Sequence, residues 1–288
     1  MNDRRIKDIL ADRGLAPSKK LGQNFLVHRQ TAEKIVRLAG LGPEDTVVEL
    51  GVGLGALTLP LAAAVGRVVG IELDAGLIRF HREEGILPTN VKLVHQDLLQ
   101  ADFAGLAAET GGPLKIMANL PYSVSNPLLF KLIESRKAIG WAVLMLQKEV
   151  ADRLIALPGT KEYGILTVLL AACATVTPLL HLGPEQFHPR PQVDSVVVRL
   201  GFEPPPERAR RLPPYDGRLL RRVVKGAFQQ RRKTMLNSLA GAWPELGKER
   251  WGRVLAAADV PPAERAERLA LEDFVRLTRA LAGEIGPL

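Results

Sequence analysis

The feature that most constrains the fold is a glycine-rich turn between a predicted strand and a predicted helix. Residues 46–50 form a short, mostly apolar run that is typical of a buried strand, and Gly51-Val52-Gly53-Leu54-Gly55 follows directly. Residues 56–65 then predict a helix that ends at Gly66. Glycines at such a turn let the start of the helix approach a ligand without an intervening side chain. The turn therefore indicates a strand–turn–helix unit built around a ligand.

The segments on either side of this turn alternate between strand-like and helix-like patterns. Further strands are predicted at residues 68–73, 91–94, 114–118 and 141–146, with two late strands at 175–182 and 193–200. Helical patterns separate most of them, and a helix over about residues 127–137 is predicted between the fourth and fifth strands. This alternation predicts an α/β fold with a mostly parallel, doubly wound, Rossmann-like sheet.

A proline-rich segment indicates a domain boundary. Residues 202–215 contain five prolines, which predicts a stiff linker between a first domain, residues 1–203, and a second, 204–288. The second domain has only helical patterns. It carries 17 Lys and Arg against 10 Asp and Glu, a net +7, whereas the first 203 residues carry 22 against 21, a net +1. This asymmetry suggests that the small domain attracts a polyanion, although solvated basic helices are the alternative.

Five cations are candidates for contacts with that polyanion. Arg231, Arg232 and Lys233 are adjacent in the second domain, and Lys19 and Lys20 are adjacent near the N-terminus. Three consecutive cations cannot all lie on one helical face, so at least one is expected to be free for phosphate. The alternative is a charge run that only promotes solubility.

Cysteine and hydropathy patterns exclude several classes of protein. The single cysteine, Cys173, excludes an intramolecular disulfide and a cysteine-based metal cage, and the five histidines show no metal-ligand spacing. No apolar run reaches the length of a membrane span, and the start of the chain has no apolar signal core. We therefore expect a cytoplasmic protein without a metal or a membrane partner.

Two acids at predicted strand ends suggest a nucleoside ligand. Glu72 ends the second strand, about twenty residues after the glycine turn, where an acid can bind both ribose hydroxyls. Asp97 follows the third strand, where a carboxylate can accept a hydrogen bond from an adenine amine. The turn also satisfies the relaxed dinucleotide fingerprint through Gly51, Gly53 and Ala56. These residues predict a nucleoside cofactor but do not choose between NAD and S-adenosylmethionine, and Asp97 is equally consistent with a helix cap.

The tetrapeptide Asn119-Leu120-Pro121-Tyr122 follows the fourth predicted strand. It places an amide, two backbone carbonyls and a phenol ring at the edge where open α/β sheets bind ligands. Such groups suit a planar ring that bears an amine, because the oxygens accept N–H bonds and the ring stacks. A proline-containing turn with a packed tyrosine is the alternative.

A second aromatic residue is predicted opposite Tyr122. Phe187 precedes alternating prolines, Pro189 and Pro191, which fix an extended loop and are expected to present Phe187 at its tip. Tyr122 and Phe187 would then sandwich a flipped-out base. A core position for Phe187 is the alternative, and Asp194 and Ser195 are expected to brace the loop.

The motifs together resemble a known family. They are, in chain order, Lys20-Leu21-Gly22-Gln23-Asn24-Phe25-Leu26, Glu49-Leu50-Gly51-Val52-Gly53-Leu54-Gly55-Ala56-Leu57-Thr58, Ile71-Glu72-Leu73-Asp74, Gln96-Asp97, Asn119-Leu120-Pro121-Tyr122, Leu146-Gln147-Lys148-Glu149-Val150, Phe187-x-Pro189-x-Pro191-x-Val193-Asp194-Ser195 and Gln230-Arg231-Arg232-Lys233-Thr234. This set resembles the KsgA/RsmA rRNA adenine dimethyltransferases, which are related to the Erm enzymes. The last motif favours KsgA over Erm.

The resemblance implies dimethylation of N6 on two adjacent adenines in the loop of the 3′-terminal hairpin of 16S rRNA. It implies S-adenosylmethionine as cofactor, the small ribosomal subunit or its precursor as partner, and a role in subunit biogenesis. It also implies residue roles. Asn24 and Leu26 border the cofactor, Gly51 lies near its methionine part, Glu72 holds the ribose, Asp97 reads the adenine, and Asn119 bridges cofactor and target amine. Gly53 is a further cofactor-binding residue. Ser123 departs from the asparagine that many relatives have, which affects only the local loop.

The expected catalytic set is Asn119, Leu120, Pro121, Tyr122 and Phe187, in a protein expected to be monomeric. Three other readings remain open: an NAD-dependent oxidoreductase, a non-catalytic RNA-binding assembly factor, and an Erm-type enzyme acting on large-subunit rRNA.

Overall fold

The structure, a computed structural model, describes residues 23–286, so Lys19 and Lys20 lie outside the described residues. The described chain divides into two compact units. One comprises the residues up to Ala151 together with Thr175–Pro204, and the other comprises Asp152–Ala174 and the residues from Pro205 onward. Among the described residues, no helix has both the length and the apolar character that a membrane crossing requires.

The first unit is built on a seven-stranded sheet. Its strands are β2 (Thr46–Leu50), β3 (Arg67–Glu72), β4 (Val91–His95), β5 (Leu114–Asn119), β6 (Ile139–Gln147), β7 (Thr175–Leu182) and β9 (Ser195–Gly201), in the order β4-β3-β2-β5-β6-β9-β7. The first five are parallel, and β9 is antiparallel to both β6 and β7. The predicted α/β fold with a mostly parallel, Rossmann-like sheet is therefore confirmed.

Helices precede, separate and follow the parallel strands. They are α1 (Arg29–Ala39), α2 (Thr58–Ala64), α3 (Ala75–Glu84), α4 (Phe103–Thr110), α5 (Tyr122–Glu134) and α6 (Lys148–Leu154), the last of which crosses into the second unit. Strand β2 is buried along most of its length, as expected for a parallel strand that is covered on both faces, since Val47, Val48 and Leu50 are at most 1% exposed. Val47 joins a core with Leu61 of α2 and Ile35 of α1, which fixes these helices on one face of the sheet.

The order of the strands creates a crevice beside β2. From β2 the chain builds outward through β3 and β4 on one side, and it returns to build β5 and β6 on the other. Ligands bind in open α/β sheets at such a reversal, outside the carboxyl ends of the strands. Gly51 lies there with φ +80°, and a Cβ at Gly51 would lie 3.2 Å from Cδ2 of Leu120. The turn after β2 therefore requires glycine for its conformation and for its close approach to β5.

A separate two-stranded ladder joins distant parts of the first unit. Strand β1 (Phe25–Leu26) pairs antiparallel with β8 (Phe187–His188), with Leu26 opposite Phe187. The amide of Val27 extends the ladder by donating to the carbonyl of Gln186 at 2.9 Å. Residues 25–27 are thereby held against the loop with Pro189 and Pro191 that precedes β9.

The predicted position of Phe187 at a loop tip is wrong. Its side chain is only 3% exposed and belongs to the same apolar core as Leu26 and Ile35. Pairing with β1 turns the ring inward, and burial of an aromatic side chain stabilises that arrangement by about 1.5–3 kcal/mol. A buried ring offers no face to a base, so the predicted sandwich with Tyr122 is absent from the described residues.

Helix α5 also differs from its prediction, because it begins at Tyr122 and contains Pro127 in its second turn. Pro121 precedes it in an extended conformation, φ −55° and ψ 138°, and acts as the N-cap. The prediction used Pro127 as the helix start, since proline favours the first helical position. The earlier start places Tyr122 on the first turn of a helix rather than in a loop.

The second unit is helical. Its helices are α7 (Ile165–Ala171), α8 (Glu207–Arg210), α9 (Gly217–Phe228), α10 (Met235–Ala242), α11 (Gly247–Ala257) and α12 (Leu271–Ile285). Residues 152–174, which the sequence analysis assigned to the first domain, group with this unit. The Tyr163 hydroxyl donates to the Leu269 carbonyl at 2.8 Å, and its ring lies 6.1 Å from that of Phe228. The division after Pro204 falls within the proline-rich segment.

Replacement by alanine is expected to have opposite effects on the free energy of unfolding at two helical glycines of the second unit. A Cβ at Gly226 of α9 would lie 2.5 Å from Cζ3 of Trp243, whereas a Cβ at Gly252 of α11 meets no atom within 4 Å. We expect Gly226→Ala to lower the free energy of unfolding by about 1–3 kcal/mol through overpacking. Gly252→Ala is expected to raise it by up to about 1 kcal/mol because alanine favours the helix. Urea denaturation of both variants measures these changes, and equal effects of the two substitutions would contradict the packing at Gly226.

Candidate active site

A cleft opens at the carboxyl edge of the parallel strands. It encloses about 900 Å³ of space, part of which is open to solvent. Nine of the residues predicted from the sequence line it: Asn24, Leu26, Gly51, Gly53, Glu72, Asp97, Asn119, Leu120 and Pro121. The structure thus brings together the glycine turn, both acids, the start of the tetrapeptide and the segment before α1.

Glu72 is held by backbone amides at the end of β3. Its Oε2 accepts a hydrogen bond from Gly53 N at 2.8 Å, and its Oε1 accepts from Leu73 N and Asp74 N at 2.9 Å each. The residue is only 7% exposed. An ionised carboxylate offers about four acceptor positions, so these three bonds fix its orientation and leave capacity for a ligand hydroxyl.

Asp97 combines the two roles that the sequence left open. It is the N-cap of a short 3₁₀ turn, and its Oδ1 accepts a hydrogen bond from Leu99 N at 2.8 Å. It also lines the cleft. The cap holds the carboxylate at the end of β4, and within residues 23–286 no hydrogen bond to Oδ2 is found.

The side chain of Asn119 is oriented by a hydrogen bond to the backbone of Asn24, just before strand β1. Its Nδ2 donates to the backbone carbonyl of Asn24 at 3.3 Å. With the amide nitrogen directed to that carbonyl, Oδ1 is left as the acceptor of the side chain. The backbone carbonyls of the next two residues, Leu120 and Pro121, differ in whether they accept a backbone hydrogen bond. That of Pro121 accepts a bond from Val124 N at 3.1 Å, whereas within residues 23–286 that of Leu120 has no such backbone partner.

Tyr122 does not line the cleft but directly follows Pro121, which does. Its hydroxyl lies 2.9 Å from Oγ of Ser195, a residue only 1% exposed at the start of β9. Burial raises the pKa of the Tyr122 phenol, which therefore stays protonated at neutral pH. Ser195 thus braces Tyr122, whereas Phe187 does not line the cleft and belongs to the apolar core.

The cations predicted to bind RNA lie in the second unit, where Arg231, Arg232 and Lys233 are exposed in the turn after α9. Arg231 donates to the backbone carbonyl of Lys161 at 2.6 Å, so one of its groups has a structural bond. Because the three residues lie in a turn, their side chains are not limited to one helical face.

Sequence reasoning gave no role to Glu49, although it lines the cleft. It is 1% exposed in β2, and its Oε2 has no hydrogen-bond partner within residues 23–286. Burial raises its pKa to about 8, so the carboxyl is mostly protonated at neutral pH. The sequence could have indicated Glu49 as a candidate, because it is an acid within an otherwise mostly apolar predicted strand.

The charges of the cleft favour a cationic ligand. Glu72 and Asp97 line it beside the mostly protonated Glu49, whereas no Lys or Arg of residues 23–286 does. Acidic walls attract the sulfonium and ammonium groups of S-adenosylmethionine, and they oppose the pyrophosphate of NAD. Oε2 of Glu49, which has no hydrogen-bond partner within residues 23–286, provides a hydrogen-bonding atom for a polar end of the ligand. The residues present therefore fit S-adenosylmethionine.

Glu49→Gln is expected to change how stability depends on pH. The folded protein keeps a proton on Glu49 up to a pKa of about 8, whereas in the unfolded chain the carboxyl loses it near its ordinary pKa of 4.5. Stability is therefore lost as the pH rises through this window, and glutamine, which does not ionise, removes that loss. Without cofactor, the variant's gain in unfolding free energy over wild type should be larger at about pH 8 than at about pH 5, by up to a few kcal/mol.

Urea denaturation of wild type and variant at several pH values measures this difference in the free energy of unfolding. Glu44→Gln is the matched control, since Glu44 is exposed and is expected to leave the pH profile unchanged. Parallel profiles for wild type and Glu49→Gln would contradict the buried, protonated state of Glu49.

Comparisons with known proteins identify the family of the chain. The family model described as "Ribosomal RNA adenine dimethylase" matches residues 16–281. The chain is 50% identical to "Ribosomal RNA small subunit methyltransferase A" of Desulfotalea psychrophila, over 98% of this chain and 97% of that protein. A dimethyladenosine transferase from Plasmodium falciparum has a crystal structure that is similar with a TM-score of 0.70 and 27% identity, covering 90% of this chain and 98% of that chain. The 23S rRNA methyltransferase ErmE gives a TM-score of 0.62 and 26% identity, covering 90% and 99%. The chain belongs to the ribosomal RNA adenine dimethylase family.

Proposed function

We propose that this enzyme dimethylates N6 of two adjacent adenines in the loop of the 3′-terminal hairpin of 16S rRNA. Family membership and the 50% identity to a protein named for the small subunit support this target. The observation that carries the proposal is the Asn119 amide, which is fixed on Asn24 and leaves an acceptor at the mouth of an acidic nucleoside cleft.

The cofactor is S-adenosylmethionine, which supplies the methyl group from a sulfonium. We assign its ribose to Glu72, whose oxygens are already oriented by three backbone amides. Asp97 is assigned to the adenine amine, and Gly51 and Gly53 leave room for the methionine part. Asn24 and Leu26 border the cofactor from the segment before α1, as their place in the cleft wall supports.

The target amine is oriented by acceptors at the end of β5. An adenine N6 is a weak nucleophile because its lone pair is delocalised into the ring. Asn119 Oδ1 accepts one of its N–H groups, and the Leu120 carbonyl, which has no backbone partner within residues 23–286, accepts the other. Two acceptors on one side favour a tetrahedral nitrogen whose lone pair points toward the cleft. The nitrogen that receives the methyl group releases one proton to water. The gain in rate comes from orientation and electrostatics, with no covalent intermediate.

The base itself is assigned to Tyr122. Its ring stands on the first turn of α5 and is braced at the hydroxyl by Ser195. Stacking on an aromatic ring contributes about 1–3 kcal/mol per base and suits an adenine taken out of its stack. Phe187 has no such role in the described conformation, because its ring is in the core.

The second unit is assigned to RNA binding. Arg232 and Lys233 are exposed beside Arg231, and the net charge of this part of the chain is strongly positive. We further propose that the enzyme is a monomer in the cytoplasm. There it would act on the small subunit or its precursor during assembly.

Methyl transfer to isolated subunits tests the target. The enzyme and radiolabelled S-adenosylmethionine are incubated with unmethylated small subunits and, in a separate reaction, with unmethylated large subunits. We expect label only in the small subunit, on N6-dimethyladenine after nuclease digestion. Label in the large subunit would instead indicate the activity named for ErmE. Subunit binding without any label would indicate an assembly factor.

Asn119→Ala tests the orientation of the target amine. We expect the transfer rate to fall by at least about a hundredfold, since loss of one positioned acceptor costs about 2.7–4 kcal/mol. The Kd for S-adenosylmethionine should change by less than about threefold, because the main cofactor contacts remain.

Asn126→Ala is the matched control for this experiment. Asn126 is an exposed residue on α5, so its loss should leave both quantities unchanged. Transfer by Asn119→Ala at a near wild-type rate would overturn the assigned mechanism.

A further inference from the structure

A buried histidine lies behind the glycine turn. His81 of α3 is 3% exposed, and its Nε2 lies 2.8 Å from the backbone carbonyl of Gly53. A carbonyl only accepts, so Nε2 carries the proton and donates. Burial lowers the pKa of His81, which therefore remains neutral at physiological pH. The ring also lies close to the turn itself, since a Cβ at Gly55 would be 3.3 Å from its Cε1.

The Gly53 residue is held from both sides. Its N–H donates to Oε2 of Glu72 at 2.8 Å, and its carbonyl accepts from His81. Its φ of +57° lies in the left-handed region, so the conformation depends on glycine and on these two bonds. Gly53 is thereby a direct link between the imidazole and the carboxylate.

The same helix reaches Glu72 by a second route. Asp74 N donates to Oε1 of Glu72 at 2.9 Å, and Oδ1 of Asp74 caps α3 by accepting from Gly76 N at 2.8 Å. Because α3 carries His81, the bonds close a ring from Glu72 through Gly53, His81 and Asp74 back to Glu72. Each oxygen of the carboxylate is therefore fixed by a different part of one unit.

Packing alone does not account for a histidine at this position. Nδ1 of His81 is buried and has no partner within residues 23–286. An unpaired buried nitrogen costs free energy, so an apolar side chain of similar size would be the more stable choice for a purely structural residue. What histidine adds is the single bond from Nε2 to Gly53.

We propose that His81 is a positioning residue of the cofactor site, acting through Gly53 to hold Glu72 in the orientation that binds the ribose. This inference rests on the proposed assignment of the ribose to Glu72. His81 does not touch the ligand. It fixes the Gly53 peptide, and the Gly53 N–H in turn fixes Oε2.

Two substitutions at His81 separate the hydrogen bond from the packing. Leucine fills the space without a donor, whereas glutamine keeps an N–H near the position of Nε2. By calorimetry we expect His81→Leu to raise the Kd for S-adenosylmethionine about tenfold, and His81→Gln to stay within about threefold of wild type. The transfer rate at saturating cofactor should change by less than about twofold for both. Equal Kd values for the two variants would overturn the proposal.

The loss should appear at the ribose. With 5′-methylthioadenosine, which keeps the ribose and lacks the amino-acid tail, His81→Leu should show the same fold-change as with the full cofactor. Ile78→Ala is the control for destabilisation, because Ile78 is buried on the same helix and its side chain offers no hydrogen bond. It is expected to lower stability and leave both Kd values unchanged. An equal rise in Kd for Ile78→Ala would show that His81 acts only through the stability of α3.

A double-mutant cycle with Glu72→Gln tests the route through Glu72. We expect Glu72→Gln alone to weaken binding, and the double variant with His81→Leu to bind no more weakly than Glu72→Gln. Additive losses would overturn the link between His81 and Glu72 and leave the ribose assignment intact. Unchanged binding by Glu72→Gln would overturn the ribose assignment itself, and with it the inference for His81.

Discussion

The parallel pairing of β2 with both β3 and β5 is the interaction on which the site depends. It sets the ends of these strands side by side, so the glycine turn, Glu72 and Asn119 meet although they are far apart in the chain. Each group is then fixed by backbone atoms of its neighbours, as in the three amides on Glu72. The order of the strands therefore sets the positions of the site residues, and their side chains supply the chemical groups.

Electrostatics gives this cleft its selectivity. Three acidic side chains line it, and one of them, Glu49, is buried deeply enough to stay mostly protonated and uncharged at neutral pH. Burial of an acid beside a second acid is unfavourable for folding, since Glu72 further raises the pKa of Glu49. The arrangement is understandable for a site that receives a cation, because the ligand's charge then compensates for that of the protein.

The strand-end residues were predictable from the sequence because their position follows from a local rule. A residue that directly follows a parallel strand lies at the ligand edge, which is how Asp97 and Asn119 were found. Phe187 was misplaced because its burial depends on pairing with β1, more than 150 residues away, which leaves no local pattern. His81 and residues 152–174 were missed for the same reason, since a hydrogen bond to Gly53 and a contact with Leu269 arise only in the folded chain.

The pairing of β1 with β8 constrains the length of the chain around it as well as the type of its residues. Successive side chains of a strand point to opposite faces, and here Phe25 packs against Gly53 while Leu26 enters the core with Phe187. A shift of one residue would exchange these two faces. The number of residues between β1 and α1 is therefore constrained in its own right, so this segment should tolerate exchanges of side chain better than the gain or loss of a single residue.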